Sequence, residues 1–238
     1  MGAVSYLNTK PLVYGFEKGM MAEQIDMKSD YPAKVAAMLL NEEIDIGLIP
    51  VAVIPHLKEY YIISDYCIGA SQAVASVCLF SEVPLNEITT ILVDYQSRTS
   101  AALLKILLAK HWKIAPELID TSNGYQQNIK GTTAGLVIGD RALQQRSHST
   151  YIFDLAEAWQ EMTGLPFVFA AWVANKKLPE TFCKNFNEAT KIGLLHLDEI
   201  VATINFPHYD MYKYYTVNID YQLDKKKREA IRLFLSFL

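Results

Sequence analysis

Residues 5–11, Ser-Tyr-Leu-Asn-Thr-Lys-Pro, place hydroxyl and amide groups directly after the short apolar stretch Ala3 and Val4. A polar loop that follows the first strand of an open α/β sheet lies where such sheets bind ligands. Ser5, Tyr6, Asn8 and Thr9 therefore read as ligand contacts, with Pro11 stiffening the chain behind them. The Asn8 amide can donate and accept without changing charge, so it can touch a ligand or cap the helix expected from Lys10. A turn of the same kind recurs at residues 94–100. There Ser97, Arg98, Thr99 and Ser100 stand at a helix entrance, where free N–H groups and the positive helix end favour a carboxylate or phosphate. The same residues also fit an N-cap serine beside a surface arginine.

Other groups carry weaker signals. Gly139 and Asp140 either bring a carboxylate to the cleft or cap the next helix, and the cap is the simpler reading. Ser76, among small residues, reads by type alone as a packed strand serine. His56, His111, His148, His196 and His208 are scattered without HExxH spacing, and Cys67, Cys78 and Cys183 have no CxxC spacing. The cysteines read as small buried residues. No metal is expected, and the absence of glycine-rich phosphate loops and of a GxSxG elbow leaves no cofactor expected and no support for a serine hydrolase. Tyr209, Tyr212, Tyr214, Tyr215 and Tyr221 form a dense aromatic patch, read as lobe packing with phenolic ends at the rim.

The elements that must position these groups follow from pattern. Asp30 is a credible N-cap for a helix with Pro32 in its first turn and an apolar face of Val35, Met38, Leu39 and Leu40. Residues 44–49 form a short buried strand closed by Pro50, and residues 73–80 another, broken by Glu82 and Pro84. The order strand, polar turn, helix, strand then repeats: residues 91–93, the turn, a helix from Ala101 to about Lys110, and a strand at 134–138. The apolar run 165–173 carries the chain back to the first lobe. The expected fold is α/β with two lobes, a flytrap closing on a cleft. Residues 1–84 and 168–238 form the first lobe and residues 85–167 the inserted second.

The chain has 238 residues, about half hydrophobic, and a formal charge of −4. That balance excludes a strongly basic nucleic-acid binder. The one basic run, Lys225, Lys226, Lys227 and Arg228, reads as the solvated side of a terminal helix. No apolar stretch approaches the roughly 20 residues of a membrane span, and no basic segment leads into a cleavable apolar one, so no membrane association and a cytoplasmic location are expected.

Four blocks together resemble the chorismate dehydratase family of the futalosine route to menaquinone: Val4-Ser-Tyr-Leu-Asn-Thr-Lys-Pro-Leu12; Asp94 with Ser97-Arg-Thr-Ser100; Ile138-Gly-Asp-Arg-Ala-Leu143; and Trp159 with Thr163-Gly-Leu-Pro-Phe-Val-Phe-Ala170. The resemblance implies a type II periplasmic-binding-protein fold recruited for catalysis in the cytoplasm. It implies that Asn8 and Ser76 are active-site residues and that the turn at 97–100 meets a carboxylate of the dicarboxylate substrate chorismate. The sister dihydroxynaphthoate synthases open with a Ser-Pro-Cys-Pro-Asn-Asp type of block and are associated with a histidine base. This chain lacks that opening, so His148 is not given that role. A non-catalytic solute-binding or ligand-sensing protein of the same fold is the alternative, and a monomer or homodimer is expected.

Overall fold

The computed structural model describes residues 1–238. In chain order the strands are β1 Gly2–Val4, β2 Lys28–Asp30, β3 Ile46–Pro50, β4 Tyr61–Ala70, β5 Val77–Ser81, β6 Thr90–Val93, β7 Glu117–Asp120, β8 Thr133–Ile138, β9 Tyr151–Asp154, β10 Phe167–Ala174 and β11 Asp220–Gln222. They form two sheets, ordered β11-β4-β10-β3-β1-β2 and β7-β6-β8-β5-β9. The helices are α1 Lys10–Glu17, α2 Pro32–Leu40, α3 Arg98–Leu107, α4 Asp140–Gln145, α5 Leu155–Thr163, α6 Glu180–Leu195, α7 Leu197–Ala202, α8 Met211–Lys213 and α9 Lys225–Leu235.

The sheets share one plan. β1 runs parallel to both β2 and β3, as β6 does to both β7 and β8. Each parallel set is then extended by an antiparallel strand that comes from beyond the other sheet: β10 beside β3, and β5 beside β8. The chain turns out of β1 and out of β6 where neighbouring connections diverge, so both polar turns emerge at switch points, where α/β sheets bind ligands.

β3 and β10 are buried along their whole length, because helices and the second lobe cover them, and their sequences are accordingly unbroken apolar runs. One continuous core joins residues of both sheets, from Val4 and Leu48 to Val77, Leu104 and Ile138. Phe167 and Phe234 belong to it, packed edge-on with ring centroids 5.1 Å apart, which seats α9 on β10. α6 presses on α1 so closely that a Cβ at Gly193 would lie 1.9 Å from the carbonyl oxygen of Pro11. Only glycine permits that approach, and it fixes the start of α1 behind the first polar turn.

Five expectations change. The expected boundary at 84/85 leaves β5 with the first lobe, whereas β5 is hydrogen-bonded between β8 and β9 in the second sheet. The strand expected at 73–80 begins only at Val77, because residues 71–76 cross between the sheets. Tyr31, not Asp30, occupies the cap position of α2: Pro32 holds the residue before it extended. Asp30 instead ends β2 and pairs with Lys34 at 2.6 Å. In the basic run, Lys227 is buried, with Nζ 2.5 Å from Asp220 Oδ2, while Lys225 and Lys226 are exposed. Cys67 and Cys78 are buried and Cys183 is partly exposed. No helix is long and apolar enough to cross a membrane.

Candidate functional site

Between the sheets lies a narrow cavity. Its walls are largely apolar: Pro50, Ile68 and Phe169 come from the first lobe, and Val77 and Ile138 from the second. Tyr6, Asn8, Ser97 and Ser100 supply the polar side chains, and Gly139 lends its backbone. Few polar groups converging on an apolar slot is the usual composition of a small-molecule site.

The first turn is held by tyrosines from the far end of the chain. Tyr215 donates its hydroxyl to the Leu7 carbonyl at 2.9 Å, and Tyr221 donates to the Asn8 carbonyl at 2.9 Å. Tyr214 donates to Ser76 Oγ at 2.7 Å and lies beside the Asn8 side chain. Asn8 and Ser76, 68 positions apart in sequence, are thus joined through one fully buried phenol. Burial pushes the Tyr214, Tyr215 and Tyr221 hydroxyls well above the usual phenol range, so they remain donors at any physiological pH. These three hydroxyls lie inside the protein and not at a rim. The aromatic patch is part of the site's scaffold, contrary to expectation.

The second turn is organised around a charge pair. The Asp94 side chain is fully buried; Oδ2 accepts from Arg141 Nη2 at 2.8 Å and from the Tyr125 hydroxyl at 2.7 Å, while Oδ1 accepts from the Gln96 backbone N–H. Arg141 Nη2 also donates to Gln96 Oε1 at 2.7 Å, and the Tyr6 hydroxyl donates to that same oxygen across the cleft. Arg141 Nη1 is buried without a partner. Ser97 caps α3 by accepting from the Ser100 N–H at 3.2 Å, and the two serine hydroxyls lie 3.0 Å apart.

The remaining candidates divide. Asn8, Tyr6, Ser97 and Ser100 line the cavity. Asn8 makes no helix cap, because α1 is entered from Thr9 with no side-chain cap bond. Ser76 is buried directly behind the wall, its carbonyl accepting from the Gly139 N–H at 2.8 Å. Ser5 and Arg98 are exposed, and neither faces the cavity. Thr99 is fully buried, but its hydroxyl accepts from the Ala52 N–H at 3.1 Å, a bond between the lobes. The Thr9 hydroxyl donates to Asn8 Oδ1 at 3.3 Å and orients that amide.

Asp140 does more than open α4. Its carboxylate accepts from the Leu7 N–H at 3.1 Å and so ties the second lobe to the first turn. Burial raises its pKa to about 6, with the Leu7 bond and Arg141 opposing. Gly139, before it, has φ +63° and ψ −146°, a region essentially reserved for glycine, and a Cβ there would meet the Tyr6 ring at 2.9 Å. Sequence reasoning missed Arg141, Gln96 and the tyrosine brace. Arg141 stood two positions after Gly139, at a strand-to-helix turn, and the density of tyrosines at 209–221 was a signal whose direction alone was misread. No three His, Cys, Asp or Glu side chains come together as a metal site.

A family model described as menaquinone biosynthesis matches residues 1–238. A chorismate dehydratase of Thermus thermophilus is 25% identical over 100% of this chain and 94% of its own length. A chorismate dehydratase of Campylobacter jejuni is 28% identical over 98% of this chain and 95% of its own. Among solved structures, a Candida albicans gene product described as exhibiting the generic periplasmic binding protein fold superposes with a TM-score of 0.59 at 10% identity, over 98% of this chain and 88% of that one. The two-lobed α/β fold is thus of the periplasmic-binding-protein type.

Proposed function

The chain belongs to the menaquinone biosynthesis family, and on that premise we propose that it is a chorismate dehydratase, a carbon–oxygen lyase acting in the cytoplasm on the futalosine route. It removes water from chorismate to give 3-[(1-carboxyvinyl)oxy]benzoate. The observation that carries this reading is the meeting of Asn8, Ser76 and Tyr214 beside the apolar slot between the lobes.

The drive of the reaction is aromatisation, so the enzyme's task is to make the C3 proton and the C4 hydroxyl leave at an acceptable rate. The C3 proton is vinylogously acidic through the ring carboxylate. Donors that hold that carboxylate therefore stabilise the carbanion character that develops at C3. Ser97, Ser100 and the N-terminal N–H groups of α3 suit this role, and Arg141, bound through Nη2 to Asp94 and Gln96 of the same turn, adds positive charge behind them. Arg98 is exposed and has no part in it.

No protein carboxylate is free to act as a strong base. Asp94 is occupied by Arg141, Tyr125 and Gln96, and Asp140 accepts from Leu7. In our reading the substrate's own enolpyruvyl carboxylate takes the C3 proton and passes it to the departing C4 hydroxyl, which leaves as water. Asn8 positions that carboxylate or the hydroxyl. Ser76, buried behind the wall, accepts from Tyr214 and holds that phenol beside the Asn8 side chain, so its part is to orient the Asn8 amide. The fold contributes orientation and exclusion of water.

The test is incubation of the purified chain with chorismate and no added cofactor, with products read by mass spectrometry and proton NMR. Loss of one water to the enolpyruvyl benzoate is the expected result. Saturable binding with chorismate returned unchanged would mean a receptor. Should Asp140→Asn abolish turnover at unchanged chorismate affinity, a protein base would replace the substrate carboxylate in the mechanism.

A further inference from the structure

The segment 71–76, which crosses from β4 to β5, contains a backbone conformation that its sequence does not favour. Ala75 has φ +64°, in the left-handed region where a side chain is disfavoured. It immediately precedes Ser76. Such a conformation persists only where the surroundings over-determine it, and here they do so on both sides of the residue. Asp154 Oδ2 accepts from the Ala75 N–H at 2.7 Å, and Arg146 Nη1 donates to the Ala75 carbonyl at 3.1 Å. The neighbouring bonds continue the hold: Asn218 Nδ2 donates to the Ala73 carbonyl at 2.9 Å, and the Ser76 carbonyl accepts from Gly139.

We propose that Asp154 and Arg146 are positioning residues for the reaction: together they clamp Ala75 in its left-handed conformation and thereby aim Ser76 Oγ at Tyr214, the phenol beside Asn8. The inference rests on the role given to Ser76 above. Neither residue lines the cavity, so any effect on chemistry must pass through the backbone. A left-handed residue reverses the direction in which the next side chain leaves the main chain. Relaxation of Ala75 to negative φ would therefore carry the Ser76 hydroxyl away from the 2.7 Å bond it shares with Tyr214.

Asp154 offers an unusually clean variant. Its Oδ1 caps α5 by accepting from the Ala156 and Glu157 N–H groups, while Oδ2 serves Ala75 and takes a weak 3.5 Å bond from the Cys78 thiol. In Asp154→Asn the orientation that keeps both cap bonds turns an NH2 group toward the Ala75 N–H. The cap survives and the clamp is broken. Ala75→Gly is the complement, since glycine enters the left-handed region without a clamp.

The experiment is a double-variant cycle read as kcat and as chorismate affinity. Asp154→Asn is expected to lower kcat at least tenfold with affinity changed less than threefold. Ala75→Gly alone should stay within threefold of the parent, and adding it to Asp154→Asn should restore kcat at least threefold. An unchanged kcat in Asp154→Asn, or a loss that Ala75→Gly does not relieve, overturns the inference. If Asp154→Asn does not fold, the same cycle is run with Arg146→Met, whose side chain is part-exposed. If the parent chain does not turn over chorismate, the functional reading fails separately, and crystal structures of the same variants decide the clamp. Negative φ at residue 75 with the Ser76–Tyr214 bond lost supports it, and an unchanged segment overturns it.

Discussion

The two polar turns look alike in sequence and are built in opposite ways. Each follows the first strand of a parallel set and leads into a helix. The turn at residues 5–9 closes one tight helical turn of its own, with the Thr9 N–H on the Tyr6 carbonyl at 3.0 Å. Its position, however, is set from afar: the Leu7 and Asn8 carbonyls are held by Tyr215 and Tyr221, more than 200 positions away, and the Leu7 N–H by Asp140 from the other lobe. The turn at 94–100 is largely self-sufficient, with Asp94 accepting from the Gln96 N–H and Ser97 capping its own helix. Its long-range ties run through side chains: Arg141 and Tyr125 on Asp94, Tyr6 and Arg141 on Gln96, and the Ala52 N–H on Thr99. A turn braced by distant elements can be aimed, but it is right only when the whole fold is right. A turn that satisfies its own backbone presents donors in a fixed array.

That contrast can be broken most severely at Arg141. Arg141→Met leaves the buried Asp94 carboxylate without its cation, and the protein should lose about 2–3 kcal/mol, below the full cost of a buried pair because Arg141 is a quarter exposed. Urea denaturation measures the loss, and chorismate affinity should fall at least tenfold. A variant as stable as the parent would show that Asp94 is satisfied locally, as the rest of its turn is.

At the other turn, Tyr221→Phe removes one brace from the Asn8 carbonyl without altering the packing of the ring. It should cost about 1 kcal/mol of stability and lower kcat by roughly tenfold, for a near-attack geometry is sensitive to small misplacements. If kcat is unchanged while stability falls, the brace supports the fold alone.

Asp140, which joins the two turns, gives a pH signature. Its folded pKa of about 6 lies above that of an unfolded aspartate, near 4, so the ionised form is disfavoured in the folded protein. The stability it contributes is complete below about pH 4 and is lost as pH rises to about 6. In Asp140→Asn the part of the Tm change between pH 4 and 6 that this group causes should vanish. An unaltered profile would mean that Asp140 titrates normally.

The smallest effect is expected at Arg98, the charged residue that the second turn presents in sequence. Because it is exposed and makes no ion pair, Arg98→Ala should change stability by less than about 0.5 kcal/mol and chorismate affinity by less than twofold. A larger loss of affinity would return the anion site to Arg98 and away from Arg141.

Much of the architecture was legible because it follows from local pattern. The unbroken apolar runs at 46–50 and 167–174 are buried on both faces, and the repeated order of strand, polar turn and helix is observed in both sheets. The lobe boundary was misjudged at β5 because Glu82 and Pro84 end that strand without indicating which sheet it has joined. Burial of a strand is written in its residues; the identity of its neighbours is not.

The site divides along the same line. The sequence by itself determined that amide and hydroxyl donors stand at 5–9 and 97–100, and that a glycine precedes Asp140, since turn chemistry depends on residues a few positions apart. Only the tertiary structure decided that Asn8 meets Ser76 through Tyr214, that Arg141 and not Arg98 carries the buried positive charge, and that Ala75 is held left-handed ahead of Ser76. These are contacts between residues from 47 to more than 200 positions apart. Side-chain type specifies what a group can do, but hydrogen bonds act over about 3 Å, and only the packed chain brings such groups within that range.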